Sequence, residues 1–180
     1  MLKLEVPDSE FFDNDTQCFV NIKGQTLALE HSLVSLSKWE SKWHIPFLSK
    51  DPKHEKTREM TLDYVRCMTI TQNVNPLIYQ ALTEDDIAKI KDYIEDPMTA
   101  TWFSDNDKGK PSNEIITAEI VYYWMISLNI PIEFQKWHFN RLITLIRVCS
   151  IKNGPAKKMS QKEWAAKRRA AYAARRGKYR

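Results

Sequence analysis

The sequence predicts an α+β fold, mostly α-helical. A small β-hairpin region lies at the amino terminus, followed by a helical body with a central helical hairpin and a basic carboxy-terminal helix. Three observations carry this. Two short segments of strand character flank Lys23-Gly24. Apolar residues recur at helical spacing from Ser32 to Cys149, and Lys and Arg crowd the last thirty residues of a 180-residue chain.

Leu2 to Val6 alternates and stops at Pro7. Gln17–Ile22 and Gln25–Glu30 are separated by the two residues Lys23-Gly24, which predicts a tight hairpin turn there. Ser32 is placed to cap a helix through Trp43, which Pro46 ends by pushing the preceding residue out of helical geometry. Lys50–Lys56 is a polar connector. Thr57 then caps a helix to about Ile70, with Glu59 and Asp63 in its first turns. Asn75-Pro76 opens a short helix to Leu82. Thr83 with Glu84, Asp85 and Asp86 starts another, which turns Ile87, Ile90 and Ile94 inward and ends at Pro97.

After the loop-like Ser104–Asn113 comes the central hairpin. Glu114–Leu128 is apolar around most of its circumference and is expected to be enclosed. Asn129 suits a left-handed helix end and Pro131 the first turn of the next helix. That second helix, Ile132–Cys149, places Phe134, Trp137, Leu142, Leu145, Ile146 and Cys149 near one face. Gly154-Pro155 breaks the pattern, and Ser160-Gln-Lys-Glu163 is a capping box for an Ala/Lys/Arg-rich helix. The regions are therefore 1–48, a hairpin plus a short helix, 49–153, a helical body, and 154–180, a basic arm.

Charge is divided along the chain. From Ile151 onward there are eleven Lys/Arg against Glu163 alone, about +10, while the first 150 residues hold sixteen basic and twenty-two acidic residues, about −6. No apolar run reaches the roughly 20 residues that span a bilayer, and the first residues lack a signal-peptide core. Cys18, Cys67 and Cys149 are odd in number and widely spaced, which reads as free thiols in a reducing cytoplasm.

Catalytic signatures are weak. His31, His44, His54 and His138 show no metal-ligand spacing, and no Cys pair does. His138, between Trp137 and Phe139, reads as a packed or boundary histidine. Four glycines provide no phosphate loop. Asp13-Asn-Asp15 and Asp105-Asn-Asp107 read as polar turns, and Asp85 and Asp86 as complements to a helix dipole. The expectation is a non-enzymatic protein with no cofactor and no metal.

Binding candidates remain. Trp39 and Trp43, four residues apart, share one helical face and either pack onto the β-hairpin or form a partner-binding ridge. Trp137 lies on the apolar face of the second hairpin helix. In the arm, Trp164, Lys167, Arg168, Arg169, Arg175 and Arg176 suit a protein-docking surface or, through the basic side chains, phosphate contacts with nucleic acid. The arm is a poor membrane helix, since alanine supplies most of its apolar content.

Glu114–Leu142, the stretch Leu33–Leu48, and Pro155-Ala-Lys-Lys-Met-Ser160 followed by arginine pairs resemble tail assembly chaperones of long-tailed, siphovirus-like bacteriophages. The resemblance runs over most of the chain in the same order. It implies a late protein of the host cytoplasm, absent from the mature virion, that binds the tape-measure protein and recruits tail-tube subunits. It carries over no catalytic residue and no defined binding residue. Homo-oligomerisation is left open. The competing readings are a nucleic-acid-binding accessory protein acting through the basic arm, and a structural head–tail or neck component.

Overall fold

The chain begins with one long antiparallel ribbon. The computed structural model describes residues 1–13, 17–49, 51–103, 115–153 and 168. Strand β1 (Leu2–Val6) pairs with β4 (Gln25–Leu29), and β2 (Ser9–Asp13) with β3 (Cys18–Ile22). Partners run from Leu2↔Leu29 to Val6↔Gln25 and resume from Ser9↔Ile22 to Asp13↔Cys18, so one register continues through both halves.

This corrects the turn expected at Lys23-Gly24. Those residues lie opposite Pro7-Asp8 in mid-ribbon, and the reversal falls between Asp13 and Cys18. Pro7 has no N–H to give to the ladder, which interrupts pairing. Gly24 fills the gap by close approach: its amide donates to Asp8 Oδ1 at 2.6 Å. A Cβ there would stand 2.6 Å from the Val6 carbonyl oxygen and 2.7 Å from the Pro7 carbonyl carbon. The glycine marks a tight crossing of two strands.

The two halves of the ribbon differ in burial. Leu4, Val6, Leu27 and Leu29 are buried at alternating positions, as period-2 geometry requires. In the distal half Phe12 and Phe19 are exposed, with ring centroids 5.2 Å apart in an edge-to-face pair. The far edge of β4 is covered by the chain leaving α2. Glu30 N–H donates to the Met68 carbonyl (2.9 Å) and Ile70 N–H to the Ala28 carbonyl (2.8 Å).

Helix α1 (Leu33–Trp43) starts at Ser32, whose hydroxyl accepts from the Ser35 amide, while Ser35 Oγ accepts from the Ser32 amide at 2.9 Å. It ends at His44, left-handed at φ 55°, two residues ahead of Pro46. Helix α2 (Arg58–Met68) is capped by Thr57 as expected, and stops short of Ile70 because Thr69 and Ile70 pair with β4 instead. Pro76–Ala81 is a 3-10 helix opened by Asn75. Helix α3 (Glu84–Glu95) has the Thr83/Asp86 capping box, with Ile90 and Tyr93 buried and Ile87 and Ile94 half-buried.

Helix α4 (Ala118–Ser127) closes with a Schellman motif: Asn129 is left-handed, its amide donates to the Ile126 carbonyl, and the Ile130 amide donates to the Met125 carbonyl at 2.8 Å. The expected single helix from Ile132 is in fact two pieces, a 3-10 turn at Ile132–Lys136 and helix α5 (Phe139–Asn153). The break arises from a tertiary demand. His138 bridges to Ser32, and the Phe139 amide donates to the His31 carbonyl at 2.7 Å, so residues 137–138 must be extended.

Met1–Cys149 forms one compact unit and Ser150–Arg180 a second. The core of the first unit gathers Leu4, Leu27, Leu36, Trp39, Met68, Ile78, Val121, Met125, Leu142 and Ile146, so residues 1–48 and the helices after them share one interior. Ser104–Asn113, Gly154-Pro155 and the Ser160–Glu163 capping box lie outside the described residues. Cys18, Cys67 and Cys149 are free.

Candidate functional site

The sequence-selected tryptophans are distributed between interior and boundary. Trp39 is 0% exposed. Its indole Nε1 donates to the Met60 carbonyl at 2.9 Å, and its ring meets Phe47 edge-on at 5.2 Å. It is a core residue with no surface for a partner, in one buried cluster with Leu4, Val6, Leu27 and Leu29 of the ribbon. Trp43, half-buried and 6.4 Å from Trp39, donates from Nε1 to Asp63 Oδ2 at 2.8 Å. Lys42 donates to the other Asp63 oxygen at 2.5 Å. Burial alone raises the Asp63 carboxyl, but hydrogen bonds from Lys42 and Trp43 and the charges of Lys42 and Arg66 outweigh it and hold its pKa below the ordinary value.

Trp137 is half-buried, stacked on Phe134 at 4.1 Å with the Arg141 guanidinium 4.3 Å from its ring centroid. That indole is therefore engaged by two side chains within the chain. Arg168 is helical and exposed. Trp164, Lys167, Arg169, Arg175 and Arg176 lie outside the described residues.

The buried histidines form a structural cluster. His31 Nδ1 hydrogen-bonds the Tyr64 hydroxyl at 2.5 Å, His138 Nε2 the Tyr93 carbonyl at 3.0 Å, and the two imidazoles are 5.1 Å apart. Burial, reinforced by His138, lowers the His31 pKa to about 3, and burial lowers that of His138 as well. Two neutral rings enclosed by Phe47, Tyr64, Tyr93 and Phe139 serve as packing. Among the described residues no group of three or more His, Cys, Asp or Glu side chains is arranged to hold a metal, and no helix is long and apolar enough to cross a membrane.

The surface that does stand out is on α4. The expectation that this helix is enclosed holds on one side of it and is corrected on the other: Ala118, Val121 and Met125 are buried, whereas Tyr123 is 66% and Ile126 72% exposed. Three residues apart, these two share one face. Ile115 before the helix and Ile132 after it are also exposed. Ile120, Tyr122 and Trp124 between the two sides are half-buried, a gradation that hydrophobicity along the sequence does not reveal.

Two fixed ends position this face. The Schellman motif sets one. At the other, Thr117 provides no side-chain cap, and Glu40 of α1 accepts from the Ala118 amide through Oε2 at 2.7 Å. Glu40 Oε1 accepts from the Phe47 amide at 2.7 Å, so one buried carboxylate ties three segments together. A cleft of about 350 Å³ beside this cap is lined by Glu40, Ser41, His44, Thr117 and Glu119.

Comparison with known proteins adds no relative: no family model, no curated protein and no solved structure matches this chain.

Proposed function

We propose that this protein is a tail assembly chaperone of a long-tailed bacteriophage. In this reading it acts without catalysis in the host cytoplasm, holds the tape-measure protein, recruits tail-tube subunits and is absent from the finished particle. The observation that carries the reading is the apolar α4 face, Tyr123 and Ile126 with Ile115 and Ile132 near it in the chain, held on a rigidly capped helix. A protein that shields a long apolar helical client needs such a surface, since burying it on a partner is favourable roughly in proportion to area. The face also lies inside the stretch, Glu114–Leu142, that resembles these chaperones.

The test is co-expression of tagged full-length protein with the tape-measure and tube proteins of the same phage, followed by nuclease treatment and a moderate-salt wash. Retention of either protein by the wild type, and its loss with Ile126→Asp, supports the reading. Recovery of nucleic acid alone overturns it in favour of a nucleic-acid-binding accessory protein, for which the eleven Lys/Arg from Ile151 onward are the relevant observation. Finding the protein in purified virions overturns it in favour of a head–tail or neck component.

A further inference from the structure

We infer that the outer edge of β3 (Cys18–Ile22) is a self-association edge, on which β3 of a second copy pairs antiparallel to give a four-stranded sheet in the order β2-β3-β3-β2. The inference is independent of the α4 face and begins from how the ribbon treats its edges. A strand edge presents unpaired N–H and C=O groups to any other strand, and proteins blunt such edges by covering them or by setting charge and proline along them. The edge formed by β1 and β2 is blunted throughout, by Lys3, Glu5, Pro7, Asp8, Glu10 and Asp13. The edge of β4 is covered. Thr69 bridges to Leu29, the Ala28 amide donates to Thr71 Oγ1 at 2.8 Å, and the Thr71 hydroxyl donates to the Thr26 carbonyl at 3.3 Å.

That cover stops at Thr26, and β3 has neither device. Among the described residues its only ladder is to β2. Cys-Phe-Val-Asn-Ile holds no charge, proline or glycine, and Phe19, Val20 and Ile22 are of types that strands favour. Cys18, Phe19 and Asn21 are exposed, Phe19 by 67%.

A second copy is the occupant that these features fit. Antiparallel pairing of β3 with itself about Val20 sets Cys18 opposite Ile22 of the other copy and Phe19 opposite Asn21, with no charge on either side of the pairing. The two-fold axis stands perpendicular to the sheet, so Phe12 and Phe19 of both copies share one face. The two Phe19 rings then lie diagonal to each other, which gives the exposed aromatic pair new neighbours. Once two copies have joined, the edges left in this half of the ribbon are those of β2, guarded by Glu10 and Asp13, so the assembly closes as a dimer. Five residues a side is small beside stable interfaces of about 1,200–2,000 Å², so the dimer expected is weak and concentration-dependent.

The experiment is sedimentation velocity of the full chain over micromolar to millimolar concentrations, with two variants that differ at one position. In Phe19→Lys/Asn21→Lys the pairing would set lysine opposite lysine twice. In Phe19→Glu/Asn21→Lys the same register sets glutamate opposite lysine twice. Both positions are exposed, and circular dichroism melts verify that each variant is folded.

The wild type is expected to dimerise, and the double-lysine variant to do so on the order of tenfold more weakly. The glutamate–lysine variant is expected to recover most of that loss. A wild type that stays monomeric at the highest concentration overturns the inference. So does a dimer unchanged in the double-lysine variant, or one that both variants abolish alike, since apolar contact of Phe19 rather than strand register would then hold it. A dimer that instead dissociates with Ile126→Asp belongs to the α4 face and overturns the inference as well.

Discussion

Glu40 Oε2 accepts a hydrogen bond from the Ala118 amide at 2.7 Å, joining α1 to the first residue of α4 across 78 positions of sequence. The other oxygen takes the Phe47 amide, also at 2.7 Å. One side chain thus satisfies an otherwise unpaired donor at a helix start and anchors the chain leaving α1.

The first prediction concerns that carboxylate. Glu40→Ala removes both acceptors and leaves two amides without partners, which is expected to cost about 2–4 kcal/mol. Glu40→Gln keeps one carbonyl oxygen and is expected to cost roughly half as much. Urea unfolding followed by circular dichroism measures both. A Glu40→Ala protein as stable as the wild type would mean that water or a relaxed loop replaces the carboxylate.

Gly24→Ala should destabilise the ribbon. Its new Cβ would sit 2.6 Å from the Val6 oxygen and 2.8 Å from the Asp8 nitrogen, both backbone atoms that cannot swing aside. The expected loss is about 1–3 kcal/mol. Lys23→Ala, at an exposed neighbour, should stay within about 0.5 kcal/mol of the wild type. Thermal melts of the pair test whether close approach, rather than turn geometry, is what requires glycine here.

Acid should destabilise the protein from near neutrality downward. Burial and the neighbouring His138 lower the His31 pKa in the folded protein to about 3, far below its ordinary 6.5, so the unfolded chain binds more protons between those values. Stability is then fully present above about pH 6.5 and declines towards pH 3, with a slope of up to about 1.4 kcal/mol per pH unit from this group. The lowered His138 contributes in the same direction. Asp63 and Asp86, also lowered, add their losses only below their ordinary carboxylate range. Urea midpoints from pH 7.5 to 4.5 should fall steadily in the wild type. They should fall less in His31→Gln, which retains a hydrogen-bonding partner for Tyr64.

The two sides of α4 should respond oppositely to substitution. Tyr123→Asp and Ile126→Asp alter exposed positions and are expected to change stability by about 0.5 kcal/mol or less. Met125→Ala, at a fully buried position on the same helix, is expected to cost about 2–5 kcal/mol. If Ile126→Asp costs as much as Met125→Ala, the face is covered within the chain and has no docking role.

Much of the fold was legible because its determinants are local. Ser32, Thr57, Asn75 and Thr83 accept from amides two or three residues ahead, and Asn129 adopts the left-handed end that precedes Pro131. Strand positions Leu2–Val6 and Gln25–Leu29 follow from alternation. The ribbon turn was misplaced because Lys23-Gly24 has the spacing of a hairpin loop, while its glycine answers to Pro7 and Asp8, distant in sequence. The break before α5 was missed for the same kind of reason: the partners of His138 and Phe139 are Ser32 and His31.

The candidate site divides along the same line. Composition and periodicity by themselves determined that this is an α+β, mostly helical chain, with caps at named residues and an acidic body followed by a basic arm, since each depends on residues near one another or on totals. Only the tertiary structure decided that Trp39 is interior, that Trp137 is engaged by Phe134 and Arg141, and that Tyr123 and Ile126 face outward. Apolar character says how strongly a side chain avoids water. Which side of an apolar helix is covered depends on how many other elements reach it, and here the packing that buries Val121 and Met125 leaves Tyr123 and Ile126 open.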